Sequence, residues 1–368
     1  MIEVIRPGTH TTIQDLGRVG YQKLGVPPSG VIDSFSFKCA NLLVGNSPGE
    51  AGLEITLYGP ELRFDGDLAI AITGADLGPR INDTKVDNWN TIGVSAGDVL
   101  SFSGPSNGVR SYVAFSGGIN EETAPSILGS KSTYIPSGFG GMNGRALGVG
   151  DKLGIGCPSG SDTVYRSLNT PPNYEDRVIL RMIYGPHDDM FGKDALDTLT
   201  RSEYTVALDS DRMGCRLDGP RVDHLEGADI ISDGNAFGSI QIPGDGLPLI
   251  LLADRGTTGG YAKIATVISA DGILLAQLMP GSIVRFRAVT LDEALEARMA
   301  QEDLLRELMG EADFPIHVIS DGSVVEIVKN DGEPVKYIHP TRKSYSLKAR
   351  YRSQEIDVQV QVGRRGDI

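Results

Sequence analysis

The chain has 368 residues, too many for one ordinary domain and enough for two with full cores. Apolar residues make up 40% and charged residues 22%, and 47 Gly and 20 Pro follow no Gly-x-y period, which excludes collagen-like and disordered classes and favours many short strands joined by turns. A formal net charge of −14 speaks against a nucleic-acid partner, no long apolar run offers a membrane span, and Cys39, Cys157 and Cys215, odd in number and far apart, fit a reducing cytoplasm better than a disulfide framework.

In chain order, Met1–Gly8 begins like a strand ending in a turn and lacks the features of a signal peptide. The next segment, Thr11-Thr12-Ile13-Gln14-Asp15-Leu16-Gly17-Arg18 followed by Gly25 to Gly30 and Asp33, is polar and glycine-rich. Gln14, Asp15 and Arg18 place an amide, a carboxylate and a guanidinium within one loop. Such a set holds a planar amide or carboxylate through a bidentate arginine, or else staples the loop by an internal Asp15–Arg18 pair. Phe35, Phe37, Ala40, Leu42 and Leu43 predict a short helix over Ser34–Leu43.

A repeat follows. Gly59-Pro60, the strand Leu68–Ile72, Gly78-Pro79-Arg80-Ile81 and Val86 recur as Gly185-Pro186, the strand Tyr204–Leu208, Gly214-Cys215-Arg216-Leu217 and Val222. The strand Ser111–Phe115 leads to Gly117-Gly118, and Leu249–Ala253 leads to Gly259-Gly260. Two copies of one β-rich unit explain this, with boundaries at 51–170 and 171–290. Residues 1–50 form an N-terminal segment packing on the second copy.

Two segments of the second copy stand out. Gln241 in Gly238-Ser239-Ile240-Gln241-Ile242-Pro243 must satisfy its amide inside an apolar strand, as a core hydrogen-bonder or as a pocket wall. Asp254 to Lys263 carries Thr257, Thr258, Gly259, Gly260 and Tyr261. Its paired glycines suit an anion-binding nest, and Lys263 suits a proton carrier, although a plain surface turn explains the same residues. No P-loop, Gly-x-Ser-x-Gly elbow or zinc-ligand spacing occurs, so ATP is not expected to be bound by this chain alone and no metal is expected. His10, His187 and His224 are scattered and read as ordinary histidines. The first copy, at the place of Thr257–Tyr261, reads Ser116-Gly117-Gly118-Ile119-Asn120. That asymmetry predicts one polar cleft, in which residues 10 to 33 meet Gln241 and Tyr261.

Asp292–Met309 predicts a helix, capped by Thr290 or Asp292 and stopped at Gly310, within a segment 291–310. Residues 311–368 alternate as strands, with a turn at Asn330-Asp331-Gly332, and read as a small accessory β-module.

Several ordered motifs carry a family resemblance. They are Thr12-Ile13-Gln14-Asp15-Leu16-Gly17-Arg18, Gly25-Val26-Pro27, Ser29-Gly30 and Asp33, then Ala40-Asn41, Leu43-Val44-Gly45-Asn46 and Glu54-Ile55-Thr56. Further on come Gly129-Ser130-Lys131-Ser132-Thr133, Gly144-Arg145, Asp211-Arg212-Met213-Gly214, Gly238 to Pro243, Thr257 to Tyr261, and Ala276-Gln277 with Pro280-Gly281. Over roughly residues 1 to 300 the chain resembles the allophanate-hydrolase-subunit-2, or biotin-dependent carboxyltransferase, family. The resemblance implies a mainly β fold of two tandem cyclophilin-like barrels with few helices. It implies the C component of an ATP-dependent 5-oxoprolinase that opens the cyclic amide of 5-oxoproline, with a B component and also an A component of that enzyme as partners. Alternatives are a urea-type carboxyltransferase using biotin on a separate carrier, or a non-enzymatic regulator that binds a partner protein. Lys263 and Asp15 are then the candidate catalytic residues. Gln14, Arg18, Asp33, Gln241 and Thr257 to Tyr261 are the candidates for binding a small amide substrate. The usual proline after Gly-Gly-Tyr is Ala262 here. Residues after 310 have no counterpart in the resemblance and no Ala-Met-Lys biotinylation site.

Overall fold

The computed structural model describes residues 1–157, 166–168 and 171–309, and beyond them four strands. Residues Met1–Leu308 form one compact unit and Met309–Ile368 another. The turn expected at Asn330-Asp331-Gly332 lies outside the described residues.

The larger unit is mainly β, as the density of turn residues requires, and among the described residues its two largest hydrophobic cores fill one half each. The first half wraps its core in two sheets. One has six strands in the order 152–153, 2–6, 61–64, 99–102, 79–81, 84–85. The other has five, in the order 10–14, 52–56, 107–115, 68–76, 91–94. Ile2, Val4, Leu62 and Leu100 from the first sheet meet Leu53, Ile55, Ile70 and Val113 from the second. Strand Leu68–Asp76 is buried on both faces, which explains its unbroken run of small and aliphatic residues. The second half is a closed barrel, ordered 177–184, 263–267, 239–241, 249–251, 214–218, 204–206, 283–288. Leu180, Met182, Ile240, Ile250, Ile264 and Val284 fill it.

Residues 1–50 are not one segment lying on the second barrel, as expected. Strands Ile2–Arg6 and His10–Gln14 belong to the two sheets of the first half, and His10–Gln14 pairs with Gly52–Thr56. Only Ile32, at the end of the following loop, enters the second core. Ile2 and Val4 alternate into the first core and Ile13 joins them there, which commits both strands to the first half, whereas the glycine-rich loop between Asp15 and Asp33 crosses to the second.

Helix Ser34–Leu43 forms as predicted, with Asp33 as its N-cap. Helix Leu291–Met309 starts on a reciprocal capping box. Thr290 N donates to Glu293 Oε2 at 2.7 Å, and Glu293 N donates to Thr290 Oγ1 at 3.2 Å. Helix Lys193–Arg201 and the short Gly272–Leu275 were not predicted. The smaller unit is an antiparallel sheet of Ile316–Ser320, Ser323–Val328, Lys343–Tyr351 and Gln354–Val362, in chain order. No helix among the described residues is long and apolar enough to cross a membrane.

Two side chains make most bonds between the halves. Gln277 acts like a piece of strand: its Oε1 accepts Val109 N and Arg110 N, both at 2.8 Å, and its Nε2 donates to Arg110 O at 2.9 Å. Arg212 of the second half donates to Glu54 of the first, to Gly30 O at 2.5 Å, and to Asp254 Oδ2 at 2.9 Å. Burial works against the Arg212 charge, but the two carboxylates outweigh it and hold the guanidinium firmly protonated.

Candidate functional site at the joint between the halves

The loop from Asp15 to Asp33 is folded back on itself. Val31 N donates to Asp15 O, and Arg18 N donates to Pro28 O. Gly17 and Gly30 sit back to back with φ of +88° and +85°. A Cβ on Gly17 would lie 2.7 Å from Pro28 O, and one on Gly30 would lie 2.7 Å from Gly17 N, so only glycine fits either position. Ser29 also takes a left-handed φ of 55°. That geometry turns its hydroxyl across the joint, where it bonds Thr133 O of the first half at 3.0 Å and Asp254 Oδ1 of the second at 2.7 Å.

Asp15 is buried and serves the loop itself. Its carboxylate accepts Gly17 N, Ser130 Oγ, Lys131 N and Ser132 Oγ. Four donors leave it a structural clamp, not an open base. The internal Asp15–Arg18 ion pair does not form among the described residues. Arg18, fully buried, donates instead through Nη2 to Ser132 O at 2.5 Å and through Nε to Ile127 O at 3.5 Å, and lies 4.7 Å over the Phe139 ring. Burial lowers the proton affinity of its guanidinium, with Asp15 and Asp254 opposing. Gln14, also fully buried, donates through Nε2 to Thr12 Oγ1 at 3.1 Å and Thr133 O at 3.2 Å. Gln14 Oε1 and Arg18 Nη1 have no hydrogen-bond partner among the described residues. Such groups ordinarily cost about 1–3 kcal/mol each.

Asp33 is taken up by structure. It accepts Ser36 N at 2.9 Å and bonds the Ser36 hydroxyl, and burial pushes its carboxyl up to about 6 despite those bonds. Fully buried, it serves as the N-cap of helix Ser34–Leu43.

In the second half, Gln241 lies in strand Ser239–Gln241 and donates to Asn235 Oδ1 at 3.3 Å. Asn235 O receives Arg255 Nε at 3.1 Å and Gln22 Nε2, from the N-terminal loop, at 3.4 Å. Thr258–Tyr261 is a strand paired with Asp229–Gly234, and neither Gly259 nor Gly260 has a positive φ. The expected anion-binding nest is therefore absent, because a nest needs successive N–H groups turned to one side and an extended strand alternates them. Gly259 is needed for another reason: a Cβ there would lie 2.6 Å from Gln241 Nε2. Thr257 contributes its carbonyl to Asn235 N. Lys263 is buried, with Nζ 3.4 Å from Asp233 Oδ2 but without hydrogen-bond geometry. The N–H of Gly234 and then Lys263 hold the Asp233 carboxyl below its usual range.

The structure therefore joins Ser29 to Asp254 and, through Thr133 O, to Gln14, and it brings Gln22 and Gln241 together on Asn235. Among the described residues no hydrogen bond ties Tyr261, 42% exposed, or Lys263 to Gln14 or Arg18. Sequence reasoning gave no role to Glu54, Asn235, Asp254, Arg255 or Arg212. Glu54, Arg212 and Ser130–Thr133 lie within the ordered motifs, which were the available signal.

A carboxyltransferase-domain family model, subdomains A and B, matches residues 24–288. The chain is 36% identical over 308 residues to the C component of 5-oxoprolinase from Escherichia coli strain K12, covering 84% of this chain and 97% of that protein. It is 32% identical to the urea amidolyase of Lachancea kluyveri over 95% of this chain, but spans only 20% of that protein. The crystal structure of K. lactis urea amidolyase aligns at a TM-score of 0.77 and 29% identity, over 95% of this chain and 22% of that one. A match over 95% of 368 residues includes most of those after 310. The C-terminal residues, for which no counterpart was expected, have one there.

Proposed function

Since the chain belongs to the carboxyltransferase-domain family, we propose that it works as the C component of an ATP-dependent 5-oxoprolinase, opening the cyclic amide of 5-oxoproline to glutamate. The observation that carries this reading is the reach of the likeness, which extends over 97% of the E. coli protein with 36% identity. The joint supports it, since amide and guanidinium groups suit a small planar amide. Proteins like the B and A components of 5-oxoprolinase complete the enzyme, and ATP is used with them. Activation of the amide oxygen lets water add to the carbonyl carbon; the C–N bond then breaks and the nitrogen takes a proton, which buried Lys263 is suited to supply. Gln241 and the strand Thr258–Tyr261 form the second-half wall.

One observation favours a second reading. The urea amidolyase match runs through most of the residues after 310, while the E. coli match covers 84% of the chain. A carboxyltransferase moving CO2 from biotin on a separate carrier to urea accounts for that. Assaying the complex purified with its partner proteins separates the two. The first reading expects glutamate from 5-oxoproline and ATP with no effect of avidin. Avidin-sensitive carboxylation of urea rejects it.

A further inference from the structure

We propose that a second small-molecule site lies apart from the joint, in a cavity of the first half, and that it takes a free amino acid with an apolar side chain, bound as its zwitterion. The cavity shares no lining residue with the Asp15–Asp33 loop or with Gln241, and the proposal does not depend on the activity proposed above.

The cavity, about 250 Å³, opens where the chain after the hairpin of strands Pro79–Ile81 and Thr84–Lys85 meets the segment leading into the second barrel. Its wall includes Asp76, Lys85, Asp87, Asn88, Trp89 and Tyr174. At about 30 Å³ per water it has the volume of roughly eight waters, which suits an amino acid and is too small for a nucleotide. The Tyr174 side is pinned by Asn107, which donates through Nδ2 to Tyr174 O at 2.8 Å and accepts Tyr174 N on Oδ1 at 3.3 Å.

Trp89 shows that this wall is built with care. It is the only tryptophan in the chain, is 3% exposed, and takes a left-handed φ of 63°. For a bulky residue that backbone costs about 1–3 kcal/mol and persists only where its surroundings impose it. Here Trp89 N donates to Ile72 O at 2.7 Å and Trp89 O accepts Leu168 N at 2.9 Å. Asn82 and Asp83 also have positive φ, but they form the tight turn of the hairpin, which needs it. Trp89 belongs to no hairpin, and strain of this kind gathers at ligand sites.

The polar groups of the wall set the chemistry. Asn88 Nδ2 donates to Ala75 O at 2.9 Å. A carbonyl only accepts, so the amide orientation is fixed and the buried Oδ1 is left without a partner among the described residues. That oxygen calls for a donor. Asp76 and Asp87 add carboxylates, and Asp87 makes no ion pair or side-chain hydrogen bond among the described residues. Acceptors of this kind beside two aromatic rings favour a protonated amine over a neutral donor. Among the described lining residues Lys85 is the one cation, and it too is unpaired, even with Asp87. It is therefore available as a point charge for a carboxylate. A simple amine leaves Lys85 without a counter-charge, and a simple acid leaves Asp87 without one. A zwitterion meets both, and its apolar side chain takes the aromatic part of the wall.

Titration of the full chain with L-phenylalanine, phenethylamine and 3-phenylpropionate tests this, read by calorimetry and by the emission of the single tryptophan. The expected result is saturable binding of L-phenylalanine, weakened at least tenfold when the amine is missing and at least threefold when the carboxylate is missing. Lys85→Ala is expected to weaken L-phenylalanine at least threefold and to leave phenethylamine unchanged, whereas Asp87→Asn weakens both. Lys85 and Asp87 are exposed, so both variants are expected to fold, and thermal melts check this. The absence of both heat and an emission change with L-phenylalanine overturns the proposal. So does equal binding of the three compounds, or binding that neither substitution alters.

Discussion

The two halves keep a Gly-Gly pair at the same place in their repeat and use it for opposite purposes. Gly117 and Gly118 follow strand Asn107–Phe115 and take φ of +91° and +65°, so the backbone turns there and Gly117 presses on Gly156. Gly259 and Gly260 lie inside strand Thr258–Tyr261, and Gly259 is small because Gln241 and Asn235 approach it. In the first half the glycines serve the chain's direction; in the second they make room for amide side chains. Duplicated sequence therefore does not mean duplicated chemistry. Among the described residues, buried polar atoms without a protein partner occur in both halves, at Asn88 and Arg110 in the first and at Tyr204 and Lys263 in the second.

The largest expected effect tests whether the joint is one cooperative piece. Arg212→Ala strands Glu54 and Asp254 in the interior and is expected to cost about 3–5 kcal/mol. Arg145→Ala, which breaks a half-exposed pair with Asp151 on the first half alone, is expected to cost about 0–1 kcal/mol. Urea unfolding of both variants checks this, and equal losses would mean that the halves are coupled elsewhere.

The next contrast is between helix caps. Helix Ser34–Leu43 is capped by the buried Asp33, and Lys193–Arg201 by Gly192 with no side-chain bond. Burial raises Asp33 to about 6 from an ordinary 3.8. A carboxyl raised on folding adds stability below its unfolded value, and that stability is lost as pH rises through its folded value. At about 1.4 kcal/mol per unit, Asp33→Asn is expected to gain about 3 kcal/mol relative to the parent between pH 4 and pH 7. Parallel stability–pH curves for the two proteins would contradict this.

Smaller effects separate the glycine pairs. Gly117→Ala meets Gly156 O at 2.3 Å in a left-handed backbone, and is expected to cost about 1–3 kcal/mol. Gly260→Ala has nothing nearer than 3.8 Å and is expected to stay within about 0.5 kcal/mol of the parent. Thermal melts of both suffice, and a reversed order would overturn the assignment of turn and strand.

Much of this was legible in the sequence, because local chemistry controls it. The apolar runs placed helix Ser34–Leu43, the Ala- and Glu-rich run placed helix Leu291–Met309, and the repeat marked two related halves. The joint was not legible in the same way. Arg212 meets Glu54 across more than 150 positions, and Gln277 imitates a strand partner for Val109 and Arg110. Neither contact leaves a spacing pattern. Asp15 and Asp33 misled because a buried carboxylate used as a clamp or a cap has the same composition as one used for chemistry, and only its donors tell them apart. The N-terminal strands misled because the repeat, read alone, hides that a later loop can cross while the strands before it stay home.

The central claim is that the polar site sits where the N-terminal loop meets the second half. A crystal structure of the chain with 5-oxoproline bound tests it most directly. The account predicts the ligand in contact with both the Asp15–Asp33 loop and second-half residues such as Gln241 or Asp254. A ligand bound beside Gly117 and Gly118 in the first half, with Gln14 and Arg18 unchanged, would contradict it.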